Sequence, residues 1–562
     1  MASLTNEVFM KLSRRAEVNE RSKLVATFVD VGPLFTLLSS LDHQIMYGRR
    51  GTGKTHALSY LAEIVEKKGD AAIYIDMRNI GSSGGIYSDE SIPTSERATR
   101  LLLDALAALH SGLFEYMAGR AEALDLSRTG PVLDRFADAI TEVRVVGEVE
   151  KQETSIRNLE SAESLSASAG VDSSKGLKAD VGASSTSKRS QQLQQSITES
   201  GTAHHTVNFG AVGSTLGDLA HAMHPKRIWI LLDEWSHVPL DLQPYLADLL
   251  RRSVLSIHGV TVKIAAIEQR SNFRILTDRG YYIGLELGAD IAADVNLDDF
   301  MVFDNDAERA KEFFEELFFK HYQASEGVDL KQGPQWSGQL VQQAFTQQNV
   351  FDEFVRAAEG VPRDAINILA LAAQAALDRR VSVEDIRRGA KNWYQRDKAA
   401  AVSANNNAQT LLHWIIDEVI GQRRARAFLL EGDKRHSLID HLFDARVLHI
   451  LKRNISAHDQ PGVRYDAYKL DYGCYVDLIN TSRATQGLLP FDDLLGENAE
   501  KFIDVPPDDY RSIRRAILDL EHFIEAQKAE QKAAQVPAGG ADAWPTAVPE
   551  PPVTPTRPSS GA

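Results

Sequence analysis

The stretch YGRRGTGKTHAL, at 47–58, constrains this chain more than any other. Gly48-Arg49-Arg50-Gly51-Thr52-Gly53-Lys54-Thr55 fits G-x-x-x-x-G-K-[ST] without a mismatch. The apolar run HQIMYG (43–48) precedes it, and KTHALSYLAEIVEKK (54–68) carries apolar residues at helical spacing. A strand, a glycine-rich turn and a helix, in that order, form a cradle for phosphate. The glycines let backbone N–H groups turn inward, and the helix beginning near Lys54 adds the positive end of its dipole. Lys54 is expected to reach the β- and γ-phosphates of a nucleotide, and the Thr55 hydroxyl to coordinate Mg²⁺. The expected binding stretch is therefore Gly48, Arg49, Arg50, Gly51, Thr52, Gly53, Lys54, Thr55 and His56.

What surrounds the loop points to a layered α/β fold. AAIYIDMR (71–78), RIWILLDEW (227–235) and VTVKIAAI (260–267) are apolar runs short enough to be buried strands. A Leu- and Ala-rich helix spans roughly 93–118, and DLQPYLADLLRRSVL is helical in pattern. Strands alternating with helices imply a parallel sheet covered on both faces. The segment 143–210 interrupts this order. EVRVVGEVEKQETSI and AHHTVNFG look extended, with a Ser-rich stretch between them. Leu165, Ala167, Ala169 and Val171, then Leu177, Ala179, Val181 and Ala183, alternate with polar residues around a DSSKG turn. That stretch is either an inserted β-hairpin or a flexible Ser-rich segment.

The strand RIWILLDEW ends in two adjacent acids. Beside a phosphate loop, Asp233 can hold the Mg²⁺ shell through water, and Glu234 can polarise a water for attack on the γ-phosphate. With these residues in view, the chain over roughly 25–400 resembles the AAA+ family of ATPases. The stretch Gly360-Val361-Pro362-Arg363 is similar to that family's G-x-P-R sensor 2 motif. The clade it looks most like is that of origin-recognition and replication-initiator ATPases, in which a winged helix follows the lid. The resemblance implies ATP and Mg²⁺ as ligands, ATP hydrolysis, and Arg363 closing over the γ-phosphate. It also implies a polar sensor after the fourth strand, for which Gln269 aligns best and Glu268 is the rival. A trans-acting arginine would come from Arg270, Arg274 or Arg279, with Arg274 favoured, and would make ATP-dependent self-association part of the cycle.

The expected fold is thus a P-loop AAA+ parallel-sheet core (1–300, with the insertion at 143–210), an α-helical lid (301–400) and a C-terminal winged-helix domain (401–505). A helix (506–535) and a Pro-rich flexible tail (536–562) complete it. QTLLHWIIDEVIG and KRHSLIDHLFDARVL read as helices, while HILKRNIS, AHDQPG and VRYDAYKLDYGCYVDLI read as strand, turn and strand.

The net charge of −16 argues against general nucleic-acid affinity, so DNA contact needs a local basic surface. Residues 411–485 hold eleven Lys/Arg against ten Asp/Glu. Lys434 and Arg435 before the second helix, with Lys452 and Arg453 on the strand entering the wing, are the candidate contacts to double-stranded DNA. Asp440 and Asp444 on that helix oppose it and favour a protein-docking role instead. The inserted hairpin is a candidate arm for a protein partner. The single cysteine, Cys474, and the absence of a secretory signal or an 18-residue apolar run point to a cytoplasmic protein outside the membrane. The alternative function is a non-hydrolysing nucleotide switch that docks a partner, for example in phage defence.

Overall fold

The computed structural model describes residues 2–13, 21–30, 32–80, 85–122, 124–140, 143–146, 202–205, 207–224, 226–277, 280–298, 306–325, 328, 331, 333–422, 427–432, 436–456, 462–479, 516–525 and 527. At its centre is a five-stranded sheet of β1 (Gln44–Tyr47), β2 (Ala71–Asp76), β3 (Ile228–Asp233), β4 (Val260–Ala266) and β5 (Ala292–Asn296). Their order across the sheet is β2-β3-β4-β1-β5, and every pairing is parallel. Every residue of β3 and β4 is buried, as both faces of such a sheet require. The helices Thr94–Ala118, Leu126–Ile140, Phe209–Met223 and Gln243–Ser253 share an apolar core with one face. The helix Lys54–Lys67 packs on the other, in a core that continues into the lid. In an open parallel sheet, ligands bind beyond the carboxyl ends of the strands. Those ends carry the glycine-rich loop after β1, Asp76 at the end of β2 and Asp233 at the end of β3, with Asp76 and Asp233 in register.

The sequence suggests no segment capable of crossing a membrane, yet Thr94–Ala118 is long and apolar enough by length and composition alone. Its Leu101, Leu102, Leu106, Leu109 and Leu113 are buried in the sheet core, while Phe114 is exposed. At the insertion, Val143–Val146 pairs antiparallel with Thr202–His205. The alternating stretch at 165–183 lies outside the described residues.

The region expected to form a lid holds the helices Ala307–Gln323, Ser337–Ala344, Gln348–Ala358, Pro362–Ala376 and Val383–Trp393. The amino-terminal helix Ala2–Lys11 packs with them: Phe9 meets Phe318 edge-on, and Asn6 Nδ2 donates to the carbonyls of Leu377 (2.6 Å) and Arg379 (2.9 Å).

The C-terminal unit follows as the helix Asn406–Ile415, β6 (Ala427–Glu431), the helix Ser437–Asp444, β7 (Leu448–Ser456) and β8 (Arg464–Leu470). Its antiparallel order is β6-β8-β7. Two local expectations change here. The long run VRYDAYKLDYGCYVDLI is a strand only to Leu470, where Asp471 Oδ2 accepts from the Cys474 amide and starts the helix Tyr472–Ile479. The segment expected to be one helix over 506–535 is extended at 517–518, where Leu518 N donates to Leu429 O at 3.0 Å, and is helical from 520. The proline-rich tail lies outside the described residues.

Candidate functional site

The phosphate loop turns on two glycines with positive φ, Gly51 (88°) and Gly53 (96°), the second of which begins the helix Lys54–Lys67. Gly51 also has no room for a side chain, since a Cβ there would lie 2.7 Å from Cβ of Arg363. The Thr52 hydroxyl donates to Arg49 O (2.9 Å), while Lys54 Nζ donates to Gly48 O (2.8 Å) and Arg49 O (3.0 Å). Burial pushes the Lys54 ammonium below its ordinary pKa, against the pull of Glu234, Asp233 and Asp298. Thr55 lines a cleft of about 390 Å³ with Tyr74, Asp76, Arg78 and Arg21. His56, adjacent in sequence, turns elsewhere: its ring meets Leu24 O at 2.5 Å and the Phe28 ring edge-on. It therefore anchors the preceding segment and does not face the loop.

Asp233 is fully buried at the end of β3. Its Oδ2 accepts from the Tyr74 hydroxyl at 2.5 Å and its Oδ1 from the Glu234 amide at 2.8 Å. Burial and the adjacent carboxylate push the Tyr74 phenol far up, so it stays a donor. Glu234 adopts φ 56°, ψ 38°, a left-handed conformation that is uncommon for a side-chain-bearing residue and clusters at functional sites. The strain is held by the turn Trp235–His237, in which Ser236 Oγ accepts from the Ile267 amide at 2.8 Å. His237 Nε2 lies 3.5 Å from Glu234 Oε2; burial lowers the imidazole pKa and Glu234 partly restores it. Gln243, fully buried, accepts from Trp235 Nε1 (3.1 Å) and the Asn272 amide (2.7 Å). It donates to Val238 O (2.8 Å) and Arg270 O (3.0 Å). It ties the acid turn to the segment after β4, a role that no local pattern around it in the sequence signals.

That segment is the turn Glu268–Arg270, in which Gln269 is half-buried. Its neighbours reach the C-terminal unit: Glu268 pairs with Arg453 at 2.8 Å, and Arg270 pairs with Asp444. Arg274 lies apart, half-exposed on a two-stranded ladder and 3.2 Å from Glu286. Arg279, Lys434 and Arg435 lie outside the described residues, and Lys452 is exposed on β7.

The 359–363 turn packs directly against the loop. Glu359 (φ 49°) and Gly360 (φ 73°) break the preceding helix, and Pro362 starts the next. The Arg363 amide donates to Gly51 O at 3.2 Å, and its positive charge bears on Lys54. The structure therefore brings together Gly48–Thr55, Asp233, Glu234 and Arg363, while Arg274 and Lys452 stand away.

Arg49 occupies a motif position open to any residue, yet it is one of the largest fully buried side chains. Asp298, just beyond β5, holds its Nε (2.6 Å) and its backbone amide (2.9 Å). Its Nη2 donates to Glu359 O (3.3 Å), its Nη1 meets His449 Nδ1, and its guanidinium stacks 5.3 Å from the Phe443 ring centroid. From His449 a buried network continues. His449 Nε2 lies 3.1 Å from Asp471, Asp471 lies 2.6 Å from Lys398, and Lys398 lies 2.8 Å from Asp364, which also pairs with Arg446 at 3.3 Å. None of these partners is identifiable from spacing, because each comes from a different element.

No protein-family model and no curated protein matches the chain. Among solved structures it is similar to the ORC1 protein of Aeropyrum pernix in complex with DNA, at 14% identity and a TM-score of 0.30, covering 82% of this chain and 97% of that one.

Proposed function

We propose that the chain is an ATPase of the AAA+ type, hydrolysing ATP to ADP and phosphate, with the nucleotide cycle acting on the C-terminal unit. One observation carries this reading. The loop Gly48–Thr55, the acid pair Asp233–Glu234 and the Arg363 turn converge at one end of a parallel sheet, with Arg363 N bonded to Gly51 O. In the reaction, the oxygen of water forms a bond to the γ-phosphorus as the bond to the β,γ-bridging oxygen breaks. Glu234 accepts the proton of that water, and Lys54 and Arg363 balance charge on the phosphoryl oxygens.

Among the described residues no cluster of three or more His, Cys, Asp or Glu could hold a metal unaided. The donors available, the Thr55 hydroxyl and the Asp233 carboxylate, are hard oxygens that suit Mg²⁺ delivered with nucleotide phosphates. Both Asp233 oxygens already accept hydrogen bonds, so that carboxylate would act through water. The metal would neutralise β- and γ-phosphate charge. Turnover by the wild type and by Glu234→Gln, with ATP binding measured in parallel, tests the proposal. The variant should bind ATP and lose roughly 10²-fold or more in turnover. Wild type that binds without turnover would leave the non-hydrolysing switch.

The C-terminal unit, with helices followed by the antiparallel strands β7 and β8, supports a winged-helix reading and a contact to DNA through Lys434, Arg435 and Lys452. A docking role is favoured by Asp444 and Arg453, which pair with core residues Arg270 and Glu268. Steep salt dependence of duplex binding, weakened by Lys434→Ala with Arg435→Ala, would support DNA contact. Binding that is absent in ATP would support docking. Arg274, half-exposed on its ladder, remains the proposed trans-acting arginine of a self-associated form.

A further inference from the structure

The phosphate loop, the lid and the C-terminal unit form a closed circuit of polar contacts. Arg49 leaves the loop and reaches His449 on β7, then Asp471, then Lys398. Lys398 returns to Asp364 in the first turn of the lid helix, and its neighbour Arg363 donates to Gly51 O in the same loop. Each member of the relay from Arg49 to Asp364 is almost fully buried. Buried polar groups left without partners cost far more than exposed ones, so the circuit makes or breaks as a unit.

His449 sits where direction matters. With Asp471 an obligate acceptor, the proton lies on Nε2, and the lone pair on Nδ1 accepts from the Arg49 guanidinium. The carbonyl of Arg49 is in turn the acceptor for both Lys54 Nζ and the Thr52 hydroxyl. The Arg49 side chain and its backbone amide share the Asp298 carboxylate, so the placement of the side chain bears on the backbone that holds Lys54.

We propose that His449 is a positioning residue of the nucleotide site: from the C-terminal unit it fixes Arg49, and through Arg49 the carbonyl that holds Lys54. The inference rests on the reading of 48–55 as a nucleotide loop. Docking of the C-terminal unit and the nucleotide-ready shape of the loop are then thermodynamically linked, each favouring the other. The linkage has a pH dependence, because a proton on Nδ1 would face a guanidinium. The charged groups facing His449 are Arg49 from the loop, Asp298 behind Arg49, Glu359 from the lid and Lys469 paired with it at 2.7 Å. Asp471 and Lys398 complete the set. Burial first and the Arg49 charge second hold the imidazole below its ordinary pKa, so it is neutral at neutral pH.

The test is hydrogen exchange of the full chain without nucleotide, followed at 44–58 with 71–76 as the internal control, in parallel with ATP binding. Protection factors are compared for wild type, His449→Phe and His449→Asn, whose amide oxygen can replace the Nδ1 acceptor. At pH 7.5 the loop in His449→Phe should lose about ten-fold protection and ATP affinity should fall about ten-fold, while 71–76 is unchanged. His449→Asn should recover part of both. Wild-type loop protection should fall between pH 7.5 and 5.5, and that fall should be absent in both variants. Unchanged loop protection in His449→Phe, or a pH response equal in all three proteins, would overturn the positioning role whatever the nucleotide result. Loss of protection together with no ATP binding by wild type would retain the positioning and refute the nucleotide reading.

Discussion

Gly51→Ala tests whether the lid and the phosphate loop are one mechanical unit. Gly51 has φ 88°, and an added Cβ would meet Arg363 Cβ at 2.7 Å and Val361 Cγ1 at 3.2 Å. Carbon atoms rest at about 3.5 Å or more, so the lid turn must retreat by roughly 0.8 Å. The same substitution at Gly53 has a similar φ, 96°, and nothing within 4 Å. The positive φ costs about 1–2 kcal/mol at either position, and the overlap adds about 1–3 kcal/mol at Gly51 alone. A displacement near 1 Å of Arg363 should also lower turnover by about 10²-fold. Denaturant unfolding followed through the buried Trp235 measures the first difference, and steady-state ATP hydrolysis the second. Equal destabilisation by Gly51→Ala and Gly53→Ala would show that the lid does not bear on the loop in solution, and would refute the reasoning.

Three further outcomes follow from the same contacts. Tyr74→Phe removes the hydroxyl donating to Asp233 at 2.5 Å, and should lower kcat about ten-fold with a smaller change in KM for ATP. Equal kcat values would show that the phenol does not orient the acid. Lys398→Met leaves Asp364 and Asp471 buried without their shared cation and should cost about 3–5 kcal/mol in denaturant unfolding. A loss under about 1 kcal/mol would mean the network is not formed. His321, in the lid, is pushed down to about 4, by burial first and then by the His56 and Lys23 charges. The unfolded chain takes up this proton near 6.5 and the folded chain only near 4. The group's contribution is therefore full above pH 6.5 and is lost as pH falls to about 4, by up to about 3 kcal/mol. His321→Phe should flatten the unfolding curve across that window.

The spacing of Gly48–Thr55 was sufficient to place a strand before and a helix after, because the apolar run before it and the helical spacing after it are local patterns. The buried runs ending at Asp233 and Ala266 were likewise legible, since strands covered on both faces are apolar throughout. Two short strands with no motif beside them were not. Ala427–Glu431 is five residues, and Ala292–Asn296 is also five; both owe their strand character to neighbours far along the chain. Asp471 was read as mid-strand because only its buried partners make it a helix start.

What sequence alone determined is a set of chemical groups at local spacing: a glycine-rich turn between strand and helix, an acid pair after an apolar strand, and an arginine after a helix break. Local spacing can do this because those motifs are held by the residues next to them. What tertiary structure decided is how the groups are joined. Arg363 N to Gly51 O, Tyr74 to Asp233, and Arg49 to His449 span 159 to 400 residues for the latter two alone. A buried charge is stable only where its partner is supplied. That partner can come from any element, so Arg49, a free position in the motif, became the centre of the molecule's polar core only once the chain had folded.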